Sequence, residues 1–276
     1  MASDCEIQFV TDNRSLARRL TQKAADETWR LHDKYSRYLN NNIVARINNA
    51  QGKPVSVDAE TAALLNFAIH CYQLSDGLFD ISSGILRKVW RFDGSDNVPN
   101  QQSIDALMPL IGLDKIDWDN QTLLMPAGME LDFGGIGKEY AVDKVLKLLS
   151  ESNNLPMLVN FGGDIAANCG PTSDQPWFVG ISTIADESKA DDTVQLHRGG
   201  IATSGDTKRY LLKEGIRYSH ILNPTTGWPV RDAPHSVTVL ANSCTDAGIL
   251  ATLAMLQGSD AERFLKNQQV EFLCQR

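Results

Sequence analysis

Three glycines packed into one short segment constrain this chain more than any other feature. In Leu131-Asp132-Phe133-Gly134-Gly135-Ile136-Gly137-Lys138 they stand between an apolar stretch and a helix-forming one. Before them, Glu130–Phe133 has the character of a strand; after them, Tyr140, Ala141, Val145 and Leu148 recur at helical spacing. The pattern predicts a strand, a tight turn and a helix over 138–149. Backbone without side chains turns within a few residues and lets N–H groups approach an anion at a helix N-terminus. Neither common nucleotide fingerprint is present. Gly137-Lys138 is followed by Glu139 rather than Ser or Thr, and Tyr140 stands where a dinucleotide loop needs glycine.

Elsewhere the chain alternates helical and extended patterns. Apolar positions from Leu16 to Leu31 predict an amphipathic helix over 14–38, and Asp58 is placed to cap a second one over 57–75, ending at Asp76-Gly77. Thr122–Met125, Met157–Phe161, Trp177–Ile181 and Ser236–Leu240 read as strands, and 246–256 and 260–267 as helices. With no repeat and no linker rich in Pro, Gly or Ser, this order predicts one compact α/β (α+β) domain over 1–276, built of mixed sheets and helices.

At 42% hydrophobic and 22% charged residues over 276 positions, the chain has material for a substantial core. A net charge of −8 opposes a phosphate backbone, so nucleic acid is not an expected partner. No run approaches the ~18–20 apolar residues of a membrane helix, so no spanning segment is expected. Met1-Ala2-Ser3-Asp4-Cys5-Glu6 lacks the basic and apolar regions of a secretory signal. The expectation is a cytoplasmic chain as it stands, or a periplasmic one if a leader has been removed. Five widely spaced cysteines without a CxxC pair argue against both a disulfide framework and a thiolate zinc site.

Small hydroxyl and carboxylate side chains crowd two further segments, Ala202-Thr203-Ser204-Gly205-Asp206 and Tyr218 to Gly227. Capping and Asx-turn chemistry accounts for such crowding as readily as catalysis does. His220, between Ser219 and Ile221-Leu222, reads either as a half-buried strand residue or as a base.

Taken together and in order, these segments resemble the ApbE family. The resemblance is carried by Ser36-Arg37-Tyr38, Gly77-Leu78-Phe79-Asp80, the run from Leu131 to Asp143, Val159-Asn160-Phe161-Gly162-Gly163-Asp164, Ala202–Asp206 and His220-Ile221-Leu222-Asn223-Pro224-Thr225-Thr226-Gly227. It extends from Met1-Ala2-Ser3 to Gly258. Members of the family are FAD:protein FMN transferases, which cleave the FAD pyrophosphate, attach FMN to a Ser or Thr hydroxyl of a target flavoprotein and release AMP. The resemblance implies a flavin cleft between two halves of the fold. It also implies contacts to FAD from Met1, Tyr38, Leu78, Phe79, Asp80, Asp132, Lys138 and Leu222, with His220 as the base. It further implies Mg²⁺ beside the phosphates, held by Gly135 through its carbonyl and by Thr252. The family's metal-binding aspartate falls on Gly248 here, which leaves Asp246 as the nearest carboxylate on that helix, turned by about 200° from Gly248. Glu139 also replaces a glycine of the pattern, and Asn223 an aspartate. With one carboxylate lost, two other readings stay open: an FAD carrier or sensor, and an Mg²⁺-dependent FAD pyrophosphatase that yields FMN and AMP.

Overall fold

Six strands, taken in chain order, form the central sheet: Cys5–Phe9, Met157–Phe161, Asp164–Ala167, Gly199–Gly205, Ser236–Ala241 and Glu271–Gln275. Every neighbouring pair is antiparallel, with Ile7 opposite Val159, Asn160 opposite Ile165, Ala202 opposite Val239 and Val239 opposite Phe272. The computed structural model describes residues 3–182, 190–206 and 210–276. Alternation along Met157–Phe161 explains its continuous apolar run: Met157, Val159 and Phe161 join the main core, while Leu158 joins a second cluster with Ile165, Leu196 and Ile201. Helices Gly137–Ser150 and Cys244–Leu256 cover one face of the sheet. The hairpin of Trp177–Ser182 and Ala190–Leu196 covers the other.

The remaining helices build a second half beside the sheet. Arg14–Tyr35 begins at Asn13, whose side chain accepts from Leu16 N, and it stops three residues short of the expected 38. The stop has a local cause: Asn42 Nδ2 donates to the carbonyls of Asp33 and Ser36, at 2.9 and 2.6 Å, and Ser36 is already extended. Asp58 caps Ala59–Leu74 as expected, accepting from Glu60 N and Thr61 N. Glu60, one residue into that helix, ties three helices together. It pairs with Arg30 and Lys34 of the first helix, at 2.8 and 2.7 Å, and accepts from Tyr140 Oη of Gly137–Ser150 at 3.2 Å.

One expected strand is not formed. Glu130–Phe133 joins no ladder: Asp132 is extended, but the segment's backbone bonds to an asparagine side chain and to the start of a 3-10 helix rather than to a neighbouring strand. Leu131 N donates to Asn48 Oδ1 at 2.7 Å, Asn48 Nδ2 donates to Leu131 O at 3.0 Å, and Asp132 N donates to Ile81 O at 2.9 Å. Asp132 then caps a 3-10 turn, Phe133–Gly135, which leads into the helix. The helix expected at 246 starts two residues earlier, at Cys244, with Ser243 as its cap. All five cysteines are free; Cys71 and Cys244 are buried, whereas Cys5 and Cys169 are exposed. Among the described residues, no helix is long and apolar enough to cross a membrane.

Candidate functional site

A cavity of about 1350 Å³ opens where the two halves meet. It is roomier than the ~300–1,000 Å³ that encloses a drug-sized ligand. Segments far apart in sequence converge on it: Arg37-Tyr38, Leu78 to Ile81, Asp132 to Glu139, Asn160 to Gly163, Thr203 to Gly205, His220 to Leu222, and Gly248 with Thr252. The resemblance named Tyr38, Leu78, Phe79, Asp80, Asp132, Gly135, Lys138, His220, Leu222 and Thr252, and all ten line it. Met1 lies outside the described residues.

These residues are not equally available to a ligand. Tyr38 is 75% exposed, and its hydroxyl accepts from Arg37 at 3.0 Å. Leu78 and Leu222 are partly buried, and Phe79 belongs to the core with its ring close against Gly135. Asp80 is committed within the protein. Its Oδ1 accepts from Ser82 N and Ser82 Oγ, both at 2.7 Å, and its Oδ2 from Leu113 N at 3.3 Å. It therefore caps Ile81–Lys88, and burial raises its pKa despite those donors. Asp132 accepts from Gly134 N at 2.9 Å and pairs with Arg37. Glycine at 84 permits this placement, because a Cβ there would stand 2.4 Å from that of Asp132.

Lys138 and Glu139 line the polar part of the cleft, and Asp164 is buried behind them. Asp164 is 2% exposed, and Lys138 Nζ pairs with its Oδ2 at 2.8 Å. Burial works against the charge on Lys138, but the facing carboxylate outweighs it and the lysine pKa rises. Glu139 faces the same aspartate rather than a cation. Its Oε2 is withdrawn from solvent, and burial, then repulsion from Asp164, with a smaller part from a hydrogen bond to that carboxylate, lifts its pKa well above the carboxylate range. Asp143, one turn further along the same helix, accepts from Cys244 N, Thr245 N and Thr245 Oγ1 at 2.9, 2.8 and 2.6 Å. That clamp fixes the second helix of the cleft, so Gly248 and Thr252 face the cavity one turn apart.

Asp246 is not brought to the cleft. It is exposed, its carboxylate accepts from Ser243 Oγ at 2.7 Å, and the same hydroxyl accepts from Asp246 N at 3.0 Å. This reciprocal cap occupies the only carboxylate near Gly248 on its own helix. Among the described residues, no three His, Cys, Asp or Glu side chains gather into a metal-binding group.

His220 follows the strand Ile216–Ser219, is half-buried and meets Phe92 edge to face at 6.2 Å. Phe92 in turn stacks on Trp90, whose Nε1 donates to Gly227 O at 2.8 Å. Turn chemistry accounts for Asn223, whose Oδ1 accepts from Thr225 N and Thr225 Oγ1 at 2.8 and 2.7 Å. An amide oxygen serves there as well as a carboxylate. Thr203 to Gly205 ends a central strand, and Asp206 just beyond it accepts from Arg217 Nε and Nη2 at 3.1 and 3.0 Å, which fastens the His220 segment to the sheet. Sequence reasoning did not find the parts played by Arg37, Asp143, Asp164 and Arg217; only their place inside the quoted or neighbouring motifs pointed toward them.

Fold and cleft together define a mixed sheet-and-helix protein with one large cavity where its halves meet. The chain belongs to the ApbE family, whose profile matches residues 1–274. It is 30% identical over 236 residues to the FAD:protein FMN transferase of Vibrio cholerae, covering 83% of this chain and 71% of that protein. It is 28% identical over 239 residues to the protein of the same name from Haemophilus influenzae, covering 82% and 69%. Among solved structures, the ApbE protein of Thermotoga maritima matches with a TM-score of 0.89 at 29% identity, over 99% of this chain and 90% of that one. The flavin transferase ApbE from Vibrio cholerae matches at 0.83 and 26%, over 99% and 90%.

Proposed function

We propose that this chain is an FAD:protein FMN transferase, which moves the FMN half of FAD onto a Ser or Thr hydroxyl of a target flavoprotein and releases AMP. One observation carries the reading: six ordered motifs, spread from Arg37 to Gly227, meet at a single cavity large enough for a dinucleotide. The names of the relatives support the same activity.

The chemistry is a phosphoryl displacement. The acceptor hydroxyl attacks the FMN phosphorus, a new P–O ester bond forms, and the bond to the AMP oxygen breaks. His220, at the cavity wall beside Phe92, takes the hydroxyl proton. Lys138 is anchored by Asp164 so that its charge stays near the phosphates. Tyr38 and Leu222 offer apolar surface to the rings, and Asp132 keeps Arg37 at the rim. The residues present fit a hard cation: the carboxyl group of Glu139, which faces a second acid and no N–H donor, shares the cleft with Thr252 and Gly135, and these three would hold Mg²⁺. When bound, the cation neutralises charge on the phosphate oxygens.

Incubation with FAD, Mg²⁺ and a flavoprotein fragment tests the reading. A fragment that stays fluorescent through denaturing electrophoresis is the expected outcome. Free FMN and AMP would instead show a pyrophosphatase, and intact FAD a carrier. His220→Ala is expected to lower the transfer rate ~10²–10⁴-fold with FAD still bound, and unchanged transfer would remove the histidine from the mechanism.

A further inference from the structure

Gly248 and Thr252 present one face of Cys244–Leu256 to the cleft, yet only threonine has a side chain to offer. The space in front of Gly248 is nevertheless filled. A Cβ at Gly248 would stand 2.5 Å from Cγ of Glu139, 3.1 Å from its Cδ and 3.2 Å from its Oε1. The glutamate arrives from the facing helix, Gly137–Ser150, and sets its carboxyl group where a short acidic side chain rooted at 248 would set its own. A second observation is independent of that contact. Oε2 of Glu139 is withdrawn from solvent, and its hydrogen-bond neighbour is the carboxyl group of Asp164, so two acidic groups face each other with no N–H donor between them. The nearby ammonium does not complete that pair, because Lys138 Nζ is engaged by Asp164 at 2.8 Å.

A carboxylate, a hydroxyl and a backbone carbonyl are hard oxygen donors, the set that Mg²⁺ or Mn²⁺ takes in preference to softer metals. We propose that Glu139 supplies the carboxylate ligand of a divalent cation in the cleft, acting with Thr252 and Gly135 in place of the side chain that Gly248 lacks. The metal-binding carboxylate has in effect crossed from one helix to the other. This assignment rests on the reading of the cleft as an FAD site, since the phosphates complete the shell around the cation.

The test titrates Mn²⁺ into FAD-saturated protein and reads free Mn²⁺ by electron paramagnetic resonance, which needs no turnover. FAD affinity is read separately, by quenching of flavin fluorescence in EDTA. Glu139→Gln, a near-isosteric change, is expected to weaken Mn²⁺ binding ~10-fold or more and to leave FAD affinity in EDTA within about twofold. The exchange Glu139→Gly with Gly248→Asp returns the carboxylate from the other helix and is expected to restore Mn²⁺ affinity to within about threefold of wild type. Unaltered Mn²⁺ binding by Glu139→Gln, with FAD still bound, overturns the proposal alone. So does an exchange variant that binds FAD but takes up Mn²⁺ no better than Glu139→Gln. If wild-type protein leaves FAD unquenched, the reading of the cleft itself falls, and the assignment of Glu139 falls with it.

Discussion

Two glutamates, one in the outer helical layer and one in the cleft, show how differently the same side chain is used. Glu60 is surrounded by donors. Arg30 and Lys34 pair with it, Tyr140 bonds to it, and its pKa is held down to about 2, chiefly by the Arg30 hydrogen bond. Glu139, on the same helix as Tyr140, has its Oε2 withdrawn from solvent against the Asp164 carboxyl group, and burial displaces its pKa upward. One carboxylate holds helices together. The other faces a second acid, Asp164, an arrangement that the proposed cation would relieve.

Crowding Glu139 sharpens the contrast most. Gly248→Asp alone places a second carboxylate against Glu139 Cγ, so it is expected to destabilise the protein by ~1–3 kcal/mol, with a fall in Tm of roughly 2–4 °C per kcal/mol in thermal melts. The exchange variant should recover most of that loss. A Gly248→Asp protein that melts like wild type would mean that the two helices are not packed as described.

Glu60→Gln comes next. It leaves Arg30 and Lys34 facing a neutral amide, and the expected loss is ~1–2 kcal/mol, a range discounted because Arg30 is largely exposed and its attraction is screened. Glu139→Gln in metal-free protein should have the opposite sign, unchanged or more stable by up to ~1 kcal/mol at neutral pH, because it removes a buried acid that must take up a proton on folding. Equal losses at the two positions would erase the distinction between them.

The smallest expected effects are in the pH dependence, and their signs differ. Glu60 has a folded pKa lowered from 4.5, so its contribution is present above that value and disappears as pH falls toward about 2. Wild type and Glu60→Gln should therefore converge in Tm in acid. Glu139 has a raised folded pKa, so the folded state holds its proton longer than the unfolded chain does. Its contribution is fully present below the unfolded carboxylate value and is lost as pH rises through the folded one. Melts of metal-free Glu139→Gln across neutrality should show a flatter decline than wild type; parallel curves would contradict the assignment.

Local chemistry was legible wherever a few adjacent residues decide the outcome. Asp58 reads as a helix cap because its acceptor needs only Glu60 N and Thr61 N, and Met157–Phe161 reads as a strand because its run is apolar on both faces. The gathering of Tyr38, Asp132, Lys138 and His220 around one cleft was legible only through the resemblance of ordered motifs. Distant partners defeated local reading. Glu130–Phe133 has strand-like composition, yet Asn48, far earlier in the chain, takes its backbone groups. Asp80 offers a carboxylate on paper, yet Leu113 and Ser82 consume it.

The amino-acid sequence by itself determined the cap at Asp58, the strand buried on both faces at Met157–Phe161 and the family pattern the chain carries, because capping, periodicity and motif order depend on neighbours along the chain. Tertiary structure alone decided that Asp246 turns away into a cap and that Glu139 fills the space at Gly248. Those outcomes follow from how two helices, clamped by Asp143, pack across a cleft, and no stretch of sequence encodes that distance.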